Sequence, residues 1–392
     1  MPCLDDLVAN PGTHHCAAPT DFPDSPLSLA LRQPMLLGLF LPIQAGGWTQ
    51  STLDRSTTWN FDYNKDLTLR AEMLGFDLVF ALSQWLPKGG YGGVFDGNAL
   101  DSFVSIAAMA GLTERIMLIS TMHVLYGPWH PLHLAKFGAT LDHISGGRWG
   151  INVVTGHRAV EHEMFGWQQI EHDRRYELAS EFVEVLQRLW SETENYSFSG
   201  QSPWKLSGAF VTPKPKYGRP VLVNATGSHA GIEFAARHSD IIFVTSPAGA
   251  DIDSALATLP AHTRRAKDAA KRNGREIRTL INPMVICRPT ERDAWARADD
   301  IVAHADHRSP AGFQSLKSDA HAWQGRDKDD PYRFIGGNIR VIGSPDQVVD
   351  QFARLKKAGI DGLQLSFFDF REDLDFFGQA VLPLMKEAGL RL

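Results

Sequence analysis

The sequence predicts a (β/α)8 TIM barrel with insertions, and three observations support this fold class. Eight short apolar runs of strand length follow Pro34 along the 392-residue chain. Amphipathic segments lie between them, as the crossovers between parallel strands require. Glycines such as Gly75 and Gly111 end several of these segments, where helix C-termini are expected. We therefore expect the chemistry at the carboxyl ends of the strands.

The predicted strands are rich in β-branched and large apolar residues, as strands buried on both faces are. Helix-length segments with an apolar face separate them, for example YNKDLTLRAEMLGF after the first strand and DRRYELASEFVEVLQRLW after the fourth. In chain order the predicted strands are residues 35–41, 77–82, 116–121, 149–154, 220–225, 240–245, 280–286 and 362–367.

A single barrel domain is expected over residues 35–392. Residues 1–34 contain six prolines and little periodicity, so we expect an extended N-terminal arm that is loosely packed or clasps another subunit. Residues 191–219 are turn-rich with interleaved aromatic residues, which predicts an inserted hairpin. Residues 288–338 are long, polar and only partly periodic, which predicts a lid-like insertion.

Composition excludes several classes of protein. The net charge of −6 argues against nucleic acid or an anionic membrane as the main partner. The three cysteines, Cys3, Cys16 and Cys287, are too few and too far apart for a disulfide framework or a cysteine-based metal site, which favours a reducing cytoplasm. No secretory signal is expected in MPCLDDLVAN, and no apolar stretch is long enough to span a membrane.

The segment HRAVEHE, residues 157–163, invites a metal-hydrolase interpretation. The inverted zinc motif needs two histidines four residues apart on one helical face. His157 and His162 are five residues apart, which is about 140° on a regular helix. Since no third ligand is nearby, we expect no metal site. The apolar run before these residues, WGINVV, carries Asn152 near its end and leads into Thr155-Gly156, as a barrel strand does where it opens into a site.

Nucleotide-binding loops of two common kinds are unsupported, because neither G-x-G-x-x-G nor G-x-x-x-x-G-K-[ST] occurs in the chain. The glycine cluster KGGYGG at residues 88–93 has neither spacing and is predicted to be a flexible rim loop. The predicted strand ends are rich in Trp, Tyr, Gly and small polar residues, which suits a flat aromatic ligand.

A phosphate site is predicted after the fifth strand. Gly227 and Ser228 lie between that strand and a helix, where free amides and the helix dipole favour an anion. Arg175 and Tyr176 open the preceding helix. An arginine there opposes the dipole unless a carboxylate or another anion compensates it, and a bound phosphate would do so.

Several blocks in order resemble the luciferase-like flavin monooxygenases. They include GLFLPIQAGGW, LYGPWHPLHLAKFGATLDHISGGRWGINVVTG and VIGSPDQVVDQFARLKKAGIDGLQLSFFDF. The similarity runs from about residue 35 to 385. Within the family, the group most similar is the dimethylsulfone monooxygenases, followed by alkanesulfonate and pyrimidine monooxygenases.

The resemblance implies a two-component enzyme that uses FMN in its reduced form, FMNH2, supplied by a separate NAD(P)H-dependent flavin reductase. With O2 it would cleave the C–S bond of a small organosulfur substrate such as dimethylsulfone to a sulfinate and an aldehyde. An alkanesulfonate, an N-heterocycle or a chlorinated aromatic are alternative substrates. A deazaflavin (F420)-dependent oxidoreductase and a non-catalytic flavin-binding protein are alternative functions. Members of the group usually pair, so a homo-oligomer is expected.

The resemblance also implies contacts to the flavin. Asn152 would bond the pyrimidine edge of the ring, and Thr121 would lie near its N5 side. Glu161 would lie beside the flavin. The other implied contacts are Trp85 and Leu86 to the ring, and Arg175, Tyr176, Gly227 and Ser228 to the phosphate and ribityl chain.

One departure from the family concerns the substrate pocket. Relatives commonly have Gly-Trp after the fourth strand, where this chain has Gly156-His157. His157, Trp59 and Trp129 are expected to line the pocket, and the candidate catalytic residues are His123, His157 and Trp129. Solvent-facing histidines are the alternative. From the lid, Arg308, Arg326 or Arg333 would meet an anionic group.

Overall fold

Eight parallel strands close into a barrel, which confirms the predicted fold class. The computed structural model describes residues 16–88, 97–127, 129–308, 318–320 and 330–392. In barrel order the strands are β1 (Leu36–Phe40), β2 (Leu78–Ala81), β3 (Met117–His123), β4 (Trp149–Val154), β7 (Val221–Thr226), β8 (Ile241–Val244), β9 (Arg278–Ile281) and β12 (Gly362–Phe367). The barrel closes where β12 pairs with β1, with Gln364 opposite Gly38, and with β9, where Gly362 lies opposite Leu280.

Helices connect the strands and cover the outside of the barrel. They are α1 (Pro26–Ala30), α2 (Phe61–Met73), α3 (Ser102–Ala110), α4 (Pro131–Ser145), α5 (Ala159–Met164), α6 (His172–Ser191), α7 (His229–His238), α8 (Ile252–Arg272), α9 (Glu291–Ala303), α10 (Pro345–Lys357), α11 (Phe370–Phe376) and α12 (Leu382–Glu387). Asp101 and Asp251 begin α3 and α8 with side chains that accept a hydrogen bond from the first turn. Within the described ranges, no helix has the length and apolar character of a membrane span.

Two buried apolar layers position the mouth of the barrel. Inside the barrel, residues such as Leu36, Ile119 and Val223 form one cluster. Outside it, alternate strand residues such as Leu37 and Ile151 pack against the helices. Each fully buried side chain of this size contributes about 1.5–3 kcal/mol to the free energy of unfolding. These layers therefore hold the strand ends in place beneath the loops.

The seventh predicted strand, 280–286, is divided at Asn282 into β9 and β10 (Pro283–Cys287). The Asn282 side chain donates to the Ser366 hydroxyl at 2.8 Å and to the Gln364 carbonyl, so it bonds to β12 at the break between β9 and β10. β10 then pairs with both β12 and β11 (Ile339–Gly343). β11 is a parallel strand that the sequence pattern did not predict.

The expected extended N-terminal arm is wrong for the part that the structure describes. Pro19–Asp21 forms a 3-10 helix, and α1 begins after Ser25, whose side chain accepts from the Ser28 amide. Leu27 is 1% exposed and belongs to the cluster inside the barrel, because α1 covers the amino end of the strands. Burial of this leucine explains why the segment is helical despite its prolines. Residues 1–15 lie outside the described range.

The two predicted insertions differ in how far they are described. Within residues 191–219, β5 (Tyr196–Ser199) and β6 (Lys205–Ala209) pair antiparallel as a hairpin. The segment 288–338 contains α9 and a 3-10 helix, Pro331–Ile335. Only residues 318–320 of its stretch 309–329 are described. The predicted rim loop of residues 88–93 lies outside the described residues after Lys88.

Candidate active site

The mouth of the barrel is open at one inward-facing position. The strand registers define horizontal layers of four residues from alternate strands. Ala225 on β7 continues the inward face of Val223, yet it is exposed. A ligand that enters the mouth therefore meets the backbone and methyl group of Ala225. The layer of Ala225 also contains Phe40, Thr121 and Asn282, and the layer beneath it contains Phe80, Asn152, Phe243 and Gln364.

Asn152 presents an unpaired acceptor in this mouth. Its Nδ2 donates to the Thr121 hydroxyl at 3.1 Å. Its Oδ1 has no hydrogen-bond partner among the described residues, although the residue is 1% exposed. The Gln364 Nε2 of the same layer is likewise buried and without a partner in the described chain. Such orphaned groups cost free energy, so they indicate sites for a polar ligand or water.

Glu161 on α5 is a buried carboxylate with three donors. Its Oε2 accepts from the Tyr126 hydroxyl at 2.8 Å, and its Oε1 accepts from Arg158 at 2.9 Å and from the Trp85 amide at 3.4 Å. Burial raises the pKa of the Glu161 carboxyl, but Arg158, His123 and Tyr126 outweigh it and the pKa is lowered. Burial, together with Glu161, raises the pKa of the Tyr126 hydroxyl. Glu161 is therefore a fixed negative charge that orders the loops after β2, β3 and β4.

His123, at the end of β3, lies beside this carboxylate. Its Nε2 is 3.8 Å from Glu161 Oε2, and its ring stacks on Tyr126 with 4.8 Å between centroids. Burial lowers the pKa of His123 to about 4, against the opposing effect of Glu161. Its Nδ1 has no partner in the described part of the chain. At neutral pH His123 is thus an uncharged imidazole with one unused nitrogen.

A cavity of about 360 Å³ opens next to His123. Aromatic side chains from α3, α4 and the loops after β2 and β3 form most of its walls, and its volume suits a small ligand. Trp129 lies edge-on to Phe103, and Trp85 lies edge-on to Phe165. The described lining residues are Ser83, Trp85, Asp101, Phe103, Val104, Met122, His123, Tyr126, Gly127, Trp129, Phe137 and Phe165.

A wider depression of about 680 Å³ runs along α9 between Arg288 and Ala303. It is open to solvent, and its walls are mostly charged side chains that already have partners, such as Arg297 with Asp300 at 3.5 Å and Arg288 with Asp373 at 2.8 Å. We place the site at the aromatic cavity instead, because it adjoins His123 and the barrel mouth.

His157 and Arg175 both contact the short segment 318–320. The Ser318 hydroxyl is 2.7 Å from His157 Nδ1, and the Asp319 amide donates to the His157 carbonyl at 3.0 Å. Arg175 forms a two-point ion pair with Asp319, both distances being 2.8 Å. The carboxylate that compensates this arginine is therefore Asp319. Its guanidinium donates there and to the Ile170 carbonyl, while its buried Nε has no partner among the described residues.

The other members of that corner lie together. The Tyr176 hydroxyl is 3.2 Å from the Thr226 hydroxyl. Ser228 begins α7 and accepts from the Gly231 amide at 3.1 Å. A Cβ atom on Gly231 would lie 1.8 Å from Thr226 Oγ1, so only glycine allows this approach. Gly227 joins Thr226 to Ser228, and the helix amino terminus completes a corner suited to an anion.

The remaining predicted residues are more dispersed. Trp59 is half-buried before α2 and is absent from the described cavity lining. Leu86 is half-buried after Trp85. Arg308 pairs with Asp306, Arg333 lies over the Phe334 ring, and neither lines the cavity. Arg326 lies outside the described residues.

The two histidines of the HRAVEHE segment point to different partners. His162 is buried beside Tyr126, with 4.2 Å between ring centroids, whereas His157 faces Ser318. Within the described ranges, no group of three or more His, Cys, Asp or Glu residues is arranged to hold a metal ion.

Tyr126, Arg158 and Asp101 are site residues that the sequence analysis did not single out. Arg158 and Glu161 are three residues apart at the start of α5, which is a spacing that predicts contact on a helix. Tyr126 follows the third strand and was concealed in the block LYGPW. Asp101 has the sequence pattern of an ordinary helix N-cap, and nothing in that pattern indicates that it lines a cavity.

Comparison with known proteins identifies the family. The family model described as luciferase-like monooxygenase matches residues 35–362. An FMNH(2)-dependent dimethylsulfone monooxygenase of Pseudomonas putida is 32% identical over 367 residues, covering 91% of this chain and 97% of that protein. The pyrimidine monooxygenase RutA of Agrobacterium fabrum is 31% identical over 361 residues, covering 90% and 96%.

The fold agrees with that result. The crystal structure of DmoA from Hyphomicrobium sulfonivorans matches with a TM-score of 0.77 at 21% identity, covering 91% of this chain and 89% of that one. The resemblance stated from the sequence blocks is thereby confirmed. Since the family model spans most of the chain and the relatives align over nearly their whole length, the protein belongs to the luciferase-like monooxygenase family.

Proposed function

We propose that this chain is a two-component, FMNH2-dependent monooxygenase that acts with O2 on a small organosulfur substrate such as dimethylsulfone. The observation that carries the proposal is the similarity, over almost the full length of both chains, to a relative named for that reaction. The cavity beside His123 and the polar mouth of the barrel supply a site for a cofactor and a small substrate.

The residues at the mouth fit reduced FMN. The orphaned Asn152 Oδ1 is an acceptor for a ring N–H, and the exposed Ala225 leaves room for a flat ring. Ser228 and Tyr176 would hold the phosphate and the ribityl chain at the start of α7. Trp85, Leu86 and Thr121 would contact the ring, whereas Arg175 would act through Asp319.

The reaction balances with one O2 and one reduced flavin. When bound, FMNH2 supplies the two electrons that allow one oxygen atom to enter the substrate while the other leaves as water. Dimethylsulfone, O2 and FMNH2 would give methanesulfinate, formaldehyde, FMN and water. The C–S bond breaks, and the methyl carbon is oxidised to the aldehyde.

The chain's own residues would exclude water and control a proton. Trp129 and Phe103 would form an apolar wall that limits the access of water to the cavity. The unused Nδ1 of uncharged His123 would accept a proton or a hydrogen bond from the substrate side. Glu161 would fix the orientation of the His123 imidazole from the side of its Nε2 atom. His157 would hold residues 318–320 over the loop after β4.

The partners follow from the cofactor. A separate NAD(P)H:flavin reductase would provide FMNH2, as the similarity to the FMNH(2)-dependent relatives implies. We infer a homo-oligomer from the resemblance, and a cytoplasmic location from the few and scattered cysteines.

Reconstitution tests this function. The purified chain would be supplied with FMN, a flavin reductase, NADH and dimethylsulfone under air. We expect methanesulfinate and formaldehyde in equal amounts, above a control that contains the reductase alone. Absence of both products with dimethylsulfone contradicts the sulfone assignment.

The same assay separates the alternatives. Because a pyrimidine monooxygenase aligns nearly as well, uracil belongs in the substrate panel, together with methanesulfonate and a chlorinated phenol. Oxygen uptake that requires FMNH2 excludes an F420-dependent hydride transfer. Tight flavin binding without turnover of any substrate would identify a non-catalytic flavin-binding protein.

A further inference from the structure

The cavity beside His123 has an unusual distribution of charge. Among the described residues that line it, Asp101 is the single formally charged side chain. His123 is uncharged at neutral pH, because burial lowers its pKa to about 4. The nearby Glu161 carboxylate is held by Arg158 at 2.9 Å. A ligand in this cavity therefore meets one negative charge and, within the described lining, no arginine or lysine.

Asp101 also occupies the place where an anion would otherwise bind. Its Oδ1 accepts from the Val104 amide at 2.8 Å and so begins α3. Phe103 and Val104, in the first turn of that helix, line the cavity too. The amino terminus of a helix attracts anions, and here a carboxylate of the chain already takes up that attraction. Asp101 is exposed to solvent, and in the described part of the chain it forms no ion pair that would cancel its charge.

We propose that Asp101 is a specificity-determining residue that makes the cavity accept uncharged compact substrates, such as a sulfone, and reject their anionic analogues, such as a sulfonate. The inference deepens the proposed function and rests on it for the identity of the site. A negative ligand close to Asp101 experiences charge–charge repulsion with no compensating cation in the described lining, whereas an uncharged sulfone experiences only the weaker charge–dipole interaction.

Dimethylsulfone and methanesulfonate make a matched pair of probes, because one methyl group is replaced by a charged oxygen. The test measures binding of each to the flavin-free protein through tryptophan fluorescence, since Trp85 and Trp129 line the cavity. The key variant is Asp101→Asn, which removes the charge and keeps a good N-cap residue. The matched control is Asp251→Asn, which makes the same change at the start of α8, outside the cavity lining.

We expect the wild type to bind dimethylsulfone more tightly than methanesulfonate. Asp101→Asn should strengthen methanesulfonate binding by about three- to tenfold, which is the scale of one unit charge several ångströms away in a partly hydrated site. Dimethylsulfone binding should change less than methanesulfonate binding in Asp101→Asn. Asp251→Asn should match the wild type, and added salt should reduce the difference between the two probes.

Three results would overturn the inference. In the first, the wild type binds both probes with equal affinity. In the second, Asp101→Asn leaves the ratio of the two affinities unchanged. In the third, dimethylsulfone does not bind at any concentration at which it is soluble. Turnover is scored separately in the reconstituted system. If dimethylsulfone binds selectively but no sulfinate forms, the proposed function fails while the charge selection stands.

Discussion

The uncharged state of His123 leads to a measurable dependence of stability on pH. An unfolded histidine has a pKa of about 6.5, whereas burial lowers the pKa of folded His123 to about 4. The unfolded chain therefore binds one more proton than the folded chain between these values. The stability that the neutral ring provides is fully present above about pH 6.5, is lost as pH falls toward 4, and does not change further below that.

The magnitude follows from the difference of about 2.5 pKa units, which corresponds to about 3.4 kcal/mol over the whole window. Between pH 7 and pH 5, the share of His123 is about 2 kcal/mol. Replacement by glutamine, which does not titrate, should remove this share. The free energy of unfolding of His123→Gln should then fall about 2 kcal/mol less than that of the wild type over this interval.

Urea denaturation at several pH values measures the effect. His238→Gln is the matched control, because His238 is also buried with a pKa lowered to about 3 but lies at the end of α7. His238→Gln should reduce the pH dependence of the free energy of unfolding by a similar amount. It should leave the turnover of dimethylsulfone unchanged. A His123→Gln variant whose stability falls as steeply as that of the wild type would refute the assignment of an uncharged ring.

Three further predictions concern the site. The double variant Tyr176→Phe with Ser228→Ala should weaken binding of reduced FMN by about 1–3 kcal/mol in anaerobic fluorescence titrations, the scale of hydrogen bonds to a charged group, and unchanged affinity would place the phosphate elsewhere. Gly156→Ala should destabilise the fold by at least about 1 kcal/mol in thermal melts. The reason is that Gly156 has a φ of 75° and the ring of Tyr126 lies against it. An unchanged melting temperature would contradict that conformation. In a double-mutant cycle, Arg175→Gln and Asp319→Asn should couple by about 1 kcal/mol or more, since the arginine is buried and the aspartate only partly exposed, and additive effects would show that the pair contributes nothing.

The barrel was predictable because its strands are short apolar runs bounded by turns. Seven of the eight lie where the pattern indicated, and the predicted strand 280–286 overlaps β9 at Leu280 and Ile281. Two features of the fold were not predictable from the sequence. β11 follows a long polar segment, and its five residues carry too little periodicity to separate them from a loop. The break at Asn282 depends on a side chain that bonds across to β12, which is a contact between residues more than eighty positions apart.

The site was predictable to the extent that it depends on strand ends. Asn152 and Thr121 were both placed at the mouth from their strands, and the structure joins them by a hydrogen bond. The partner of Arg175 was not predictable as a residue, because Asp319 is 144 positions away in the sequence. The position of this arginine in the first turn of a helix did indicate the need for a negative group, and the chain itself supplies one.

The helix before the first strand has a consequence for work with shortened forms of the protein. Leu27 closes the amino end of the barrel interior, although it lies outside the barrel by sequence. A version trimmed to begin at Met35 would let solvent reach Leu36 and its neighbours from below. Such a form is expected to melt earlier and to aggregate, so efforts at expression or crystallisation should retain these leading residues.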